Sequence, residues 1–206
     1  MKKILILLSI FILCGCTNKE SFDDTKIINE LKVIDQNVAL ANSASRGFKY
    51  YKPRDFALLE SSDFNHILVH KSNKFYLNVD VNAYYDKMPI KYVENDKEFY
   101  SKKIDLDSGI PLFIEIKEIN NSYFLIKMMY NYSSIEVSTR ETEIYDSIVS
   151  SMIILSSIKY NDSVIESIIS EGNIDSRETA YEIKKPKVKK ERTNILDVYD
   201  AREEAN

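Results

Sequence analysis

The stretch Pro111-Leu-Phe-Ile-Glu-Ile-Lys117, then Glu118-Ile-Asn-Asn-Ser122, then Tyr123-Phe-Leu-Ile-Lys-Met-Met-Tyr-Asn131 decides the fold. Its two arms are rich in branched and aromatic residues, and the residues between them are polar. Asparagine tolerates the positive φ that a tight turn requires, so the spacing predicts an antiparallel hairpin. In the second arm Phe124, Ile126 and Met128 share one face while Leu125 and Met129 share the other. A strand apolar on both faces belongs in a sheet covered, at least partly, on both sides.

Helices on either side of this hairpin supply the cover. Downstream, Ile144, Ile148, Met152 and Leu155 recur at helical spacing, widened by Tyr145, Val149 and Ile153. The Ser138-Thr-Arg-Glu141 spacing predicts the start of this helix. A short strand is expected at residues 156–160. Asn161-Asp162 should then cap a last helix carrying Val164, Ile165, Ile168 and Ile169 and stopped at Gly172. Upstream, Ser21 and Asp24 mark a helix start, and Ile27, Leu31, Ile34, Val38 and Ala41 form one stripe as far as Gly47. Barely three heptads without flanking charge pairs favour core packing over a coiled coil.

Between them the period is two. Lys49-Tyr50-Tyr51-Lys52-Pro53 reads as an edge strand, because proline cannot donate into a ladder. Strands are expected at 56–59 and 98–104, and a hairpin joins 65–71 to 74–81 about Ser72-Asn73. Tyr84-Tyr85 falls in a loop or bend, and Asp105-Leu-Asp-Ser-Gly109 in a turn. The expectation is an α+β fold: one domain over 22–175, an antiparallel β-sheet flanked by an N-terminal helix and a buried C-terminal helix.

The chain opens on Met1-Lys2-Lys3, an apolar run from Ile4 to Leu13, and Cys14-Gly15-Cys16. The run is shorter than the roughly twenty apolar residues that span a bilayer, and reads as a secretory leader. Leu13-Cys14-Gly15-Cys16 resembles the bacterial lipobox, with Cys14 less usual at its position than alanine or serine. That resemblance implies cleavage between Gly15 and Cys16, a diacylglycerol on the Cys16 sulfur, and a lipoprotein held by residues 16–21 on the extracytoplasmic face of the cell membrane. The expected mature chain of about 190 residues keeps no free thiol, since Cys14 and Cys16 are the only cysteines. It carries 26 basic against 32 acidic residues, a net of −6, once Lys2 and Lys3 leave. This balance argues against nucleic acid as the partner. At the other end, Lys184, Lys185, Lys187, Lys189, Lys190 and Arg192 crowd around Pro186, and residues 176–206 read as a disordered charged tail. Its basic run is either solvated or a contact for anionic head groups or wall polymers.

The order helix, antiparallel strands, long apolar helix and short strand resembles the Mog1/PsbP-type α/β/α sandwich. Tyr51-Lys52-Pro53 and the stretch 153–160, ending Ser157-Ile158-Lys159-Tyr160, carry the likeness. It covers about 45–160 and implies a non-catalytic binding or assembly module; it implies no site residues.

Motifs with chemistry are few. His66 and His70 flank Ile67-Leu68-Val69, which favours a strand and places them roughly 13 Å apart, too far for one ion. Asp105-Leu-Asp107 departs from a calcium loop, with glycine at the fifth position and Ile116 at the twelfth. Ser156-Ser-Ile-Lys159 has the Ser-x-x-Lys spacing, without the further motifs such enzymes need. No catalytic residue, metal site or cofactor is implied. The remaining candidate is a binding surface of Tyr50, Tyr51, Arg54, Asp80, Tyr84 and Tyr85, residue types that serve at interfaces and equally pack core edges. The expected function is a non-catalytic binding or assembly module at the cell envelope, meeting another envelope protein or a wall polymer. The alternatives are a solute- or glycan-capturing receptor lipoprotein and, with less support, an envelope hydrolase.

Overall fold

The computed structural model describes residues 22–120 and 122–171. The leader with Gly15 and Cys16, the tether to Ser21, Gly172 and the charged tail lie outside the described residues. Seven antiparallel strands form the main sheet: β3 (Ala57–Ser61), β4 (Asn65–His70), β5 (Asn73–Val79), β6 (Tyr100–Asp105), β7 (Pro111–Asn120), β8 (Tyr123–Tyr130) and β9 (Ser133–Arg140). Their order is β3-β4-β5-β9-β8-β7-β6. A small second sheet has order β1-β2-β10, from β1 (Ser43–Ser45), β2 (Phe48–Tyr50) and β10 (Lys159–Tyr160). The helices are α1 (Asp24–Gln36), α2 (Val81–Tyr85), α3 (Ile144–Ser156) and α4 (Asp162–Ser170). The architecture is α+β with antiparallel sheets.

The quoted hairpin forms as expected, with Ile116 opposite Ile126 and Ile114 opposite Met128. Ile126 and Met128 are fully buried and join Ile135, Val137, Ile148, Met152 and Leu155 in one core. Two helices supply that cover: α3 packs on β8 and β9, and α1 packs on α3. The opposite face is covered in part. There Met129 and Phe113 are buried with Ala83 and Met88 in a second cluster, flanked by Ile90 and Tyr92.

The same face carries a charge row. Lys127 lies opposite Glu136 on β9 and Glu115 on β7. The Lys127 and Glu136 side chains are only 10% and 7% exposed, and Nζ lies 3.1 Å from Oε1. Burial raises the Glu136 carboxyl above its ordinary range, and the Lys127 charge pulls it back.

β1 forms where only a stop was expected, and the strand expected at 156–160 is reduced to Lys159–Tyr160 because α3 runs through Ser156. The elements depart from the expected ones in five further places. First, α1 is capped by Asp23, whose carboxylate accepts from the Lys26 N–H at 3.1 Å. It ends at Gln36 because Asn37 folds back, its Nδ2 donating to the Val33 carbonyl; Val38 is left exposed. Second, Tyr84 and Tyr85 are helical, because Asp80 accepts from the Ala83 N–H and starts α2. Third, β2 is the centre of its sheet, since Pro53 lies beyond the paired residues. Fourth, the β4–β5 turn is Lys71-Ser72, with Lys71 at φ 53°. Fifth, Ser138 is no cap: it lies in β9, an interior strand the polar alternation concealed, and α3 is entered through a 3₁₀ turn, Glu141–Glu143.

One buried polar network joins α1 to the sheet. The Tyr130 hydroxyl donates to Asp35 Oδ1 at 2.9 Å, and the Ser108 N–H donates to Oδ2 at 2.9 Å. Burial first, then the Asp35 charge, pushes the Tyr130 hydroxyl up to about 12, so it remains a donor. Tyr130→Phe should cost about 1.5–3 kcal/mol, because a buried carboxylate loses one of its donors. Denaturant unfolding of the two proteins measures the difference; an unchanged midpoint would show that the network holds nothing.

Candidate functional site

The register gives the domain two ends. At one lie the β4–β5 and β7–β8 turns and the first turns of α1 and α3. At the other lie the β3–β4 and β8–β9 turns and the small sheet, whose Ser45 hydroxyl donates to the Asp63 carbonyl at 2.8 Å. The candidate site is built at this second end.

It starts from Gly47, in the β1–β2 turn. The φ of +85° is one that residues with a side chain rarely adopt, and a Cβ there would come 3.0 Å from Ile165 Cγ1. The close approach lets the Gly47 carbonyl accept the Asn161 N–H at 2.8 Å. The Asn161 side chain in turn accepts the Val164 N–H at 3.3 Å and caps α4. The β1–β2 hairpin, β10 and the first turn of α4 thereby enclose an open groove of about 600 Å³, with Lys49, Lys159, Tyr160, Asp162 and Ser163 in its lining.

Two features set this groove apart. Lys49 on β2 lies directly opposite Lys159 on β10. Both are exposed, and among the described residues neither has an ion-pair partner. Like charges in this position destabilise a sheet, so the pair is a cost in the isolated domain. The acid beside it, Asp162, is engaged: its Oδ1 accepts the Tyr84 hydroxyl at 2.9 Å.

The second feature is an aromatic stack behind Tyr160, which lines the groove. Tyr84 stacks on Tyr160 with ring centroids 3.7 Å apart and planes inclined by 13°. Lys87 Nζ lies 3.6 Å from the Tyr84 ring centroid, and Tyr132 meets Tyr84 edge-on at 6.1 Å. Burial raises the Tyr84 hydroxyl, and its bond to Asp162 raises it further. The Tyr160 hydroxyl donates to the Asn131 carbonyl at 2.6 Å, fixing the stack to the β8–β9 turn. Cations and planar groups are the chemistry such a stack can meet.

The candidate surface expected from sequence divides. Tyr84 is in the stack, Tyr85 beside it is 44% exposed, and Asp80 holds their helix. Tyr51 and Arg54 follow β2, and among the described residues no hydrogen bond or ring contact joins them to α2. Tyr50 is a correction: it is fully buried, its hydroxyl 2.7 Å from His66 Nδ1. Tyr132, Tyr160, Lys49 and Lys159 were not in the expected set. Only the pairing of β2 with β10 brings these lysines together, and a two-residue strand leaves no readable period.

The other motifs disperse. His66 is buried against Tyr50, and burial lowers its pKa; His70 stacks on Phe56 and faces Asp55 Oδ2 at 3.1 Å. Ser156 ends α3, half-turned to its own Ile153 carbonyl, whereas Lys159 is exposed in the groove. Among the described residues no three metal-ligating side chains converge, and no helix is long and apolar enough to cross a membrane.

No protein-family model matches the chain, and no curated protein matches it either.

If the lysine pair is a cost, Lys49→Glu should raise stability by at least about 0.2–1 kcal/mol, the contribution of an opposite-charge cross-strand pair relative to an uncharged one. Denaturant unfolding at low salt reads this. A fall in stability would mean that Lys49 contributes to the fold and not to a site.

Proposed function

We propose that this chain is a lipoprotein anchored through Cys16 at the extracytoplasmic face of the cell membrane. Its domain acts as a non-catalytic binding or assembly module. The groove lined by Lys49, Lys159 and Tyr160, with Tyr84 stacked on Tyr160, is the surface that meets another envelope protein or a wall polymer. One observation carries the reading: a cross-strand lysine pair lines the groove, and among the described residues neither lysine has an ion-pair partner. Cys14-Gly15-Cys16 supports the address.

The finer fold reading is the Mog1/PsbP-type sandwich. In its favour, the two stretches that carry the resemblance meet: the Tyr51 N–H donates to the Ser157 Oγ at 2.8 Å. The groove volume also falls in the range of small-ligand sites, which keeps the solute or glycan receptor as a second reading.

Affinity capture from solubilised membranes tests the assignment. The wild type should retain a protein or polymer that Lys49→Glu/Lys159→Glu loses by about tenfold or more, equivalent to about 1.4 kcal/mol. The double variant keeps a like-charged pair and should fold as stably. Equal recovery would remove the groove from the function. Recovery of a small ligand alone would select the receptor reading.

A further inference from the structure

We propose that the end of the domain around the β7–β8 turn docks on the membrane itself, with the phospholipid head-group layer as its occupant. This rests on the lipid-anchor reading above. The argument begins at Phe22, the first described residue. Its ring packs on Tyr100 with centroids 4.8 Å apart and edge-on against Phe99 at 5.6 Å. Phe99 in turn meets Phe124 at 4.9 Å. Phe124 lies opposite Glu118 on β7, next to the β7–β8 turn. The start of the described chain and the turn therefore lie at the same end of the domain, joined through the buried Phe124.

That end keeps apolar side chains in water. Phe99 is 45% exposed, Ile119 54% and Tyr123 39%. Single exposed apolar residues are ordinary, but these three lie at one end of the domain, the end where the chain enters it. Two of the acids there have lysine partners: Asp24 with Lys102 at 2.6 Å and Glu98 with Lys117 at 3.7 Å. Pairing weakens their repulsion of anionic head groups.

Chain length selects the occupant. Six peptide units separate Cys16 from Phe22. Fully extended they reach about 20 Å, so a diacylglycerol on Cys16 keeps this end within that distance of the bilayer surface. Phenylalanine, isoleucine and tyrosine that reach the surface gain from the interface, with tyrosine suited to the head-group level. The lipid supplies the affinity and these side chains supply orientation. The groove then faces away from the membrane, separated from it by strands of about 27 Å.

The experiment uses the full lipidated protein on phosphatidylglycerol–phosphatidylcholine vesicles. An environment-sensitive fluorophore is placed on Ile119→Cys or, as a control, on Ser163→Cys at the groove; Ile119 is an exposed residue at the register shift that ends β7, and Ser163 is an exposed residue in the first turn of α4. The expected result is a blue shift and quenching by shallow brominated lipids at position 119, with neither at 163. Equal emission from both positions on vesicle-bound protein would overturn docking and leave the anchor standing. Protein that fails to sediment with vesicles would overturn the anchor and the docking together. Adding Phe99→Ser/Tyr123→Ser to each labelled protein should keep sedimentation and lose the difference between the two ends.

Discussion

Everything in this fold follows from β8 being apolar on both faces. Ile126 and Met128 must be buried on one side and Met129 on the other, and each such side chain contributes about 1.5–3 kcal/mol only when covered. The first requirement is met by α3, with α1 behind it. The second draws Ala83 and Met88 across Met129 and Phe113, which is why a short helix follows β5. Where that cover gives out, the row continues as Glu115, Lys127 and Glu136. A buried charge of either sign alone would be costly, and facing each other across adjacent strands they offset much of it.

The sequence revealed those parts whose signal is local. The α3 stripe and the β7–β8 hairpin could be read because their apolar residues recur at a fixed period with polar residues at the ends. The Asn161 cap could be read because that residue has a backbone role, whereas Gly47, expected to stop α1, turns β1 into β2 eleven residues after the helix has ended at Gln36. The parts that escaped depend on partners distant in the chain. β9 alternates Ile135 and Val137 with Ser134 and Glu136, which looks like a polar segment until Lys127 is placed opposite. Its turn was also disguised: Tyr132 holds φ 60°, where glycine is the ordinary choice. The candidate surface suffered in the same way. Tyr84 was legible as a candidate although it is half-buried, but Tyr50 next to Tyr51 could not be told from a surface tyrosine without the fold. The lysine pair exists only through the β2–β10 register.

The two ends of the domain have different chemistry, and the register explains their separation. α1 and α3 both begin near the β7–β8 turn and run toward the small sheet, so the entering chain and the groove lie at opposite ends. The Asp35–Tyr130 network and the Gly47–Asn161 contact fix the groove end. At the other end Phe22 is held by aromatic packing on Tyr100 and Phe99. On our reading the domain is tied to a membrane at one end and recognises a partner at the other.

That account depends first on the fate of Cys16. Intact-mass measurement of the protein extracted from membranes in detergent tests it most directly. The account predicts a chain that begins at Cys16 and carries the added mass of a diacylglycerol. A chain that retains Met1, with Cys14 and Cys16 both open to alkylation, would contradict it.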